Sequence, residues 1–192
     1  MANDSTTTGF VSATSSNVYD IELDRLLQTA VVGISGLPGQ LVRPRWQAIT
    51  PNQPEHEVNW CAIGVSDIAP DAYTFKTHDP AGQGTDIVER DEILTVLASF
   101  YGLASNTNAH AFYDGLQVNQ NRDTLAAAGI VLITVGECLQ VPVLLAQKWA
   151  RRVDITVTLR RRTQRVYQIK SLVSASVELD NASVSTLISI HP

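Results

Sequence analysis

The sequence predicts an α+β domain built as packed layers, and three observations carry that expectation. Tyr19, Leu23, Leu26, Leu27, Ala30, Val31 and Ile34 recur at helical spacing and stop at Gly36-Leu37-Pro38-Gly39, the pattern of an amphipathic helix with a glycine end. Val153, Ile155, Val157 and Leu159 alternate with Asp154, Thr156, Thr158 and Arg160, the period of a strand with one buried face. Between these two lie further strand-like runs and two helical pieces, so helices and strands must share one core.

Taken in order, residues 1–16 are Ser/Thr-rich and read as an N-terminal arm. The first helix follows with Asn17 as its expected N-cap and acids in its first turn. A connector rich in proline (Pro38, Pro44, Pro51, Pro54) leads past Trp46 to a strand near 58–68, and a second strand runs over about 87–101. The stretch Asp79-Pro80-Ala81-Gly82-Gln83-Gly84 between them reads as a long hairpin loop. Helical pieces are expected over 106–116 and 122–128, the second stopped by Gly129. Strands follow at 130–135 and 153–159, with 166–169 as the hairpin partner of the latter.

After Leu172 the chain turns to alternating small residues (Ser174, Ser176, Ser183, Ser185) with Val177, Val184, Ile188 and Ile190. That composition fits an edge hairpin or a strand donated to a neighbour. The expected organisation is therefore an arm over 1–16, one domain over 17–172, and a strand-rich arm over 173–192. Neither arm carries enough apolar surface to offset about 1–2 kcal/mol of backbone entropy per residue, so both are expected to be ordered only by neighbouring subunits.

A chain of 192 residues, 44% hydrophobic, is ordinary for one globular domain. No apolar run approaches the roughly 20 residues of a membrane span, and the polar N-terminus lacks a signal peptide's apolar stretch, so a cytoplasmic setting is expected. Cys61 and Cys138 sit in apolar runs and read as free thiols.

Charge is divided unevenly. Residues 148–170 hold eight of the fourteen basic residues against one acid, Asp154, while residues 55–92 hold nine acids against Lys76 and Arg90. At about 3.3 Å per residue, Arg152 and Arg160 would stand roughly 26 Å apart at opposite ends of one strand. Such polarity suits like subunits meeting head to tail. It equally suits two solvated edges, or pairing of the two segments inside one subunit.

Chemistry-bearing motifs are few. Gly33-Ile34-Ser35-Gly36 has the wrong glycine spacing for a nucleophile elbow. His56, His78, His110 and His191 are scattered singly, outside any metal-ligand spacing. Glu89-Arg90-Asp91-Glu92 reads as a solvated strand edge, and no phosphate-cradling glycine loop occurs. No catalytic, cofactor-binding or metal residue is expected. Two rival classes stay open: a nucleic-acid-binding module using the arginines of 148–170, though without interleaved stacking aromatics, and a small metal-dependent hydrolase.

A resemblance narrows the choice. Leu37-Pro38-Gly39, Val42-Arg43-Pro44-Arg45-Trp46-Gln47, Asn59-Trp60-Cys61-Ala62-Ile63-Gly64, Ser99-Phe100-Tyr101-Gly102, Asp114-Gly115-Leu116 with Asn121-Arg122, and the run from Trp149 to Arg161 form an ordered series. Over residues 20–172 this series resembles the phage neck terminator family, which caps the tail tubes of tailed phages. The resemblance implies a non-enzymatic virion protein with a central, mostly antiparallel sheet flanked by helices, assembled in the host cytoplasm as a homo-hexamer. It implies a tail tube protein and a neck or head-completion protein as partners, with the sheath protein as a further candidate. Genome DNA would pass through the channel without specific binding.

On that footing Arg151, Arg152, Arg160, Arg161, Arg162 and Arg165 are expected at subunit or partner interfaces. Trp46, Trp60 and Trp149 are expected to pack. The loop carrying Asp79, Gly82, Gly84 and Asp86 becomes a candidate channel lining, mobile through its glycines and negative through its aspartates.

Overall fold

Leu94, Val96, Ala98 and Phe100 are buried along one face of a single long strand, and that strand is the middle of a mixed sheet. The structure is a computed structural model; it describes residues 4–47, 52–145, 147–171, 175–178 and 187–190. The elements run α1 (Asp20–Ser35), a 3-10 turn (Gly39–Leu41), β1 (Val42–Pro44), β2 (Trp60–Pro70), β3 (Phe75–Asp79) and β4 (Thr85–Tyr101). They continue with α2 (Ser105–Gly115), α3 (Asn119–Ala127), β5 (Ile130–Val135), β6 (Leu139–Gln140), β7 (Val143–Leu145), β8 (Lys148–Ala150), β9 (Arg152–Tyr167), β10 (Ala175–Glu178) and β11 (Leu187–Ile190). The α+β class expected from the sequence is the observed one.

Contacts divide the chain into two compact units, Asn17–Thr74 with Arg90–Thr163, and Met1–Ser16 with Phe75–Glu89 and Gln164–Pro192. In the larger unit the sheet order is β1-β2-β4-β9-β5, with β6 also on β9. β1 runs parallel to β2, while the β2–β4, β5–β9 and β6–β9 pairings are antiparallel. Leu23, Leu27 and Val31 of α1 lie on one helix face, are buried, and pack with Val42, Cys61, Ile63 and Phe100 in one core. Phe100 meets Phe112 of α2 at 5.6 Å between ring centres. Each such side chain withdrawn from water is worth about 1.5–3 kcal/mol, so this layer of helix on sheet supplies most of the unit's stability.

α1 ends as expected, on Gly36 with φ +74° and its N–H bonded to the Val32 carbonyl. Its start differs from the expected Asn17 cap. The helix begins at Asp20, because Val18 and Tyr19 are held extended by partners on β4 and β9 described below. Cys61 is buried and Cys138 half-buried, both free thiols, and burial pushes the Cys61 thiol pKa up. β9 is the main correction: the chain runs straight through 160–167 with no turn, so residues 166–169 are not a separate hairpin partner. Arg160, Arg161 and Arg162 accordingly stand mid-strand rather than at a strand end.

In the smaller unit β3 and the start of β4 form a hairpin, with His78 opposite Asp86 and Asp79 opposite Thr85. Its turn uses Gly82 at φ +65° and Gly84 at φ +89°. The N-terminal arm is tied to its own chain, contrary to the expectation that neighbours alone would order it. Ser5 N–H donates to Gln168 O at 3.1 Å, Thr14 N–H to Val166 O at 2.8 Å, and Lys170 N–H to Ser5 Oγ at 2.7 Å. Main-chain bonds to β9 and the residues after it thus replace the apolar burial the arm lacks. At the other terminus β10 and β11 pair antiparallel with each other. Ser174, Ser183, Val184 and Ser185 lie outside the described residues.

Candidate functional site

The arginines of β9 divide by strand parity. Odd positions continue the buried series Val153, Ile155, Val157, Leu159, and Arg161 and Thr163 follow them inward, at 6% and 5% exposure. Arg161 is therefore a core residue. Its Nε donates to Glu92 Oε2 at 3.0 Å and its Nη2 lies 2.9 Å from the same oxygen as an ion pair, its Nη1 donates to the Val18 carbonyl, and its guanidinium lies 4.2 Å from the centre of the Tyr19 ring. Tyr19 completes the cluster by donating its hydroxyl to Glu92 Oε1 at 2.5 Å. A buried charge persists only when paired in this way. That burial gives Arg161 a positioning role inside its own subunit.

Even positions face the other way. Arg160 and Arg162 both donate to Asp91, leaving each side chain more than half exposed. Asp91 is held to a pKa of about 2 by the hydrogen bonds from Arg162 and Arg160. Arg152 makes a two-pronged contact with Asp154, 2.7 Å on each arm. Arg151 and Arg165 are exposed. Pairing of the acidic segment with the basic one inside a single subunit, one of the alternatives the charge pattern left open, thus accounts for Asp91 and Glu92.

The depressed pKa of Asp91 has a sign that can be worked through. The folded value, about 2, lies below the ordinary 3.8, so its contribution to stability is complete above the unfolded pKa and disappears as pH falls through the folded one. The difference in urea midpoint between the wild type and Asp91→Asn is expected to be full at about pH 5 and to shrink toward nothing by about pH 2. A pH-independent difference would show that the two arginines do not hold this carboxylate.

A second arrangement occupies the sheet face opposite α1. Arg43, Trp60, Tyr101 and Arg152, from β1, β2, β4 and β9, form a row across four strands. Trp60 and Tyr101 stack at 4.2 Å with planes 6° apart, Arg43 sits 5.8 Å from the Trp60 ring and Arg152 sits 5.7 Å from the Tyr101 ring. Cation–aromatic contacts of this kind are worth about 0.5–1 kcal/mol each when exposed. Beside the row, Arg45 reaches Ser99 Oγ and Trp46 donates Nε1–H to the Val65 carbonyl at 2.9 Å, both passing over Gly64. Arg43, Arg45, Gln47, Gln53 and Trp60 line an open groove of about 260 Å³. At the end of the row Gly102, at φ +99°, donates to the Arg151 carbonyl, and Asn59 Oδ1 accepts from Ala104 N–H.

Of the three tryptophans expected to pack, Trp60 does so by stacking, whereas Trp46 and Trp149 are 66% and 69% exposed.

The expected channel loop is brought together differently from the sequence reading. Asp86 is 3% exposed, and hydrogen bonds from Lys76 and His78 hold its carboxyl below the usual range. Gly84 is there for close approach: an added Cβ would fall 2.5 Å from Ser171 Oγ and 2.7 Å from the Ile169 carbonyl. Gly84 thus has a packing role here, and the charge of Asp86 is paired. Sequence spacing also gave no sign that His78 would bridge Asp86, at 2.7 Å through Nδ1, and Ser171, at 2.9 Å through Nε2. The Ser171 N–H donates to Gln83 O, so the trio fastens the hairpin to the chain at 171. Among the described residues no group of three or more His, Cys, Asp or Glu is placed to hold a metal ion, and no helix is long and apolar enough to cross a membrane.

Four of the segments that carried the resemblance, at 42–47, 59–64, 99–102 and 149–161, meet on this sheet face and its end. Residues 22–183 match the family described as phage neck terminator protein. The chain belongs to the phage neck terminator family. Comparison with curated proteins finds no match. Membership makes this chain a structural protein of the phage neck and a component of the virion. In this neck terminator the Arg43–Trp60–Tyr101–Arg152 row and the Arg161–Glu92–Tyr19 cluster fix the sheet, and the exposed arginines of β9 stand on it.

Proposed function

We propose that six copies of the chain form a ring that closes the head-proximal end of the tail tube. The ring ends tube polymerisation and presents a joining surface to the neck or head-completion protein, while genome DNA passes through its lumen without specific binding. The single observation that carries this reading is family membership over residues 22–183. Support comes from Arg151, Arg160, Arg162 and Arg165, which keep their charge at the subunit surface and are the residues we assign to contacts with neighbours or with the tube. Arg152, folded onto Asp154, and Arg161 are positioning residues of their own subunit. For the hairpin turn, Asp79 and Gly82 stay as candidates for the channel wall, and Asp86 and Gly84 do not.

The test is a charge swap that keeps the internal pairing. Arg160→Glu and Arg162→Glu combined with Asp91→Arg inverts the surface while leaving opposite charges in contact. The protein is expected to fold but not to enter particles, leaving heads and tails unjoined in electron micrographs. Normal infectious particles would remove these arginines from the interface, and a particle reconstruction without a six-fold ring at the tube end would overturn the ring itself.

A further inference from the structure

α1 contains a residue that its own subunit does not explain. Gly33 stands in the helix interior, where glycine is less favourable than alanine. It is exposed, and a Cβ added there would meet nothing within 4 Å. The missing side chain keeps open one wall of a groove of about 380 Å³ between α1 and α3, lined mainly by Leu26, Ala30, Ile34, Leu125 and Ala128. An open apolar groove of this size on a folded surface marks a place where something docks.

The same unit carries a projection of matching chemistry. Among the described residues β7 and β8 pair only with each other, and their register sets Leu144 opposite Trp149. Those two side chains are 57% and 69% exposed. A two-stranded hairpin with an apolar pair facing water is marginal until something covers it. Charge agrees with shape: residues 143–152 hold Lys148, Arg151 and Arg152 and no acid, whereas α1, α2 and α3 together hold five acids against two arginines. A basic apolar knob and an apolar groove between two helices that together carry net negative charge are complementary.

We propose that the β7–β8 hairpin of one copy docks Trp149 and Leu144 into the α1–α3 groove of the next copy. The inference rests on the ring reading and deepens it, because a contact between two different patches of one chain is heterologous and can repeat around a closed ring. Gly33 then has a role: it leaves room for the neighbour's indole. The indole is the anchor, in keeping with the share of association energy that buried tryptophans carry.

The experiment uses the purified full chain and two single variants, followed by sedimentation and native mass measurement. Trp149→Glu destroys the knob and leaves the groove; Gly33→Lys fills the groove, strengthens the helix, and leaves the knob. Wild type is expected to self-associate as concentration rises, and each variant alone to associate at least about tenfold more weakly. Mixed in equal amounts, the two variants are expected to form a one-to-one heterodimer that grows no further, since only one intact knob and one intact groove can meet. Circular dichroism checks that both variants are folded. Association of either variant like wild type, or a wild type that stays monomeric to about 1 mM, overturns this contact. Neither result touches the ring reading, which a particle reconstruction decides separately.

Discussion

Replacing Arg161 with alanine is expected to destabilise the fold by about 3–5 kcal/mol, the cost of leaving a buried carboxylate without its partner. Glu92 is 5% exposed and takes its hydrogen bonds from Arg161 and Tyr19, so no solvent stands ready to replace the guanidinium. The Val18 carbonyl and the Tyr19 ring lose the same contact, and the extended entry into α1 should loosen with them. Denaturant unfolding of the purified protein measures the loss. A double variant, Arg161→Met with Glu92→Leu, should recover most of it, because a buried pair replaced by apolar residues of similar volume is often neutral. A loss under about 1 kcal/mol for Arg161→Ala would mean that the pair is solvated as surface pairs are.

Gly102→Ala is expected to have an effect of comparable size for a different reason. Gly102 adopts φ +99°, and an added Cβ would lie 2.4 Å from the Val58 carbonyl oxygen and 2.7 Å from the Asn59 Cα. Backbone atoms cannot swing aside as a side-chain tip can. Strain of about 1–3 kcal/mol for the dihedral alone is therefore joined by displacement of the turn that places Arg151 and Asn59. Thermal unfolding should show a loss of at least about 3 kcal/mol. Gly129→Ala is the internal control: Gly129 has φ +76° with nothing within 4 Å of an added Cβ, so its loss should stay near about 1–2 kcal/mol. Equal losses at the two sites would show that crowding at Gly102 contributes nothing.

Much of the fold was legible because its signals are local. The helix face of Leu23, Leu27 and Val31, the glycine stop at Gly36 and the strand face of Val153 to Leu159 all depend on residues a few positions apart. The same parity, carried two residues further, already pointed Arg161 inward. It was masked because three adjacent arginines read as one charged cluster, although consecutive strand residues face opposite ways. The candidate site was less legible. Arg43, Trp60, Tyr101 and Arg152 come from four strands, and nothing in their spacing tells that the rings will stack. Trp46 and Trp149 were expected to pack, yet each lies on a short segment with an exposed face.

The sequence by itself determined the class of the fold, the helix and strand periods, and the split between an acidic and a basic segment, since composition and periodicity are properties of neighbours along the chain. Only the tertiary structure decided which carboxylate each arginine meets. Arg161 and Glu92 are 69 residues apart along the chain, as are Arg160 and Asp91. Their pairing depends on how β4 and β9 are placed in the sheet. A shift of one residue would carry Arg161 to the solvent face and Arg160 into the core, and the packing of α1 against the sheet, rather than any local preference, forbids that shift.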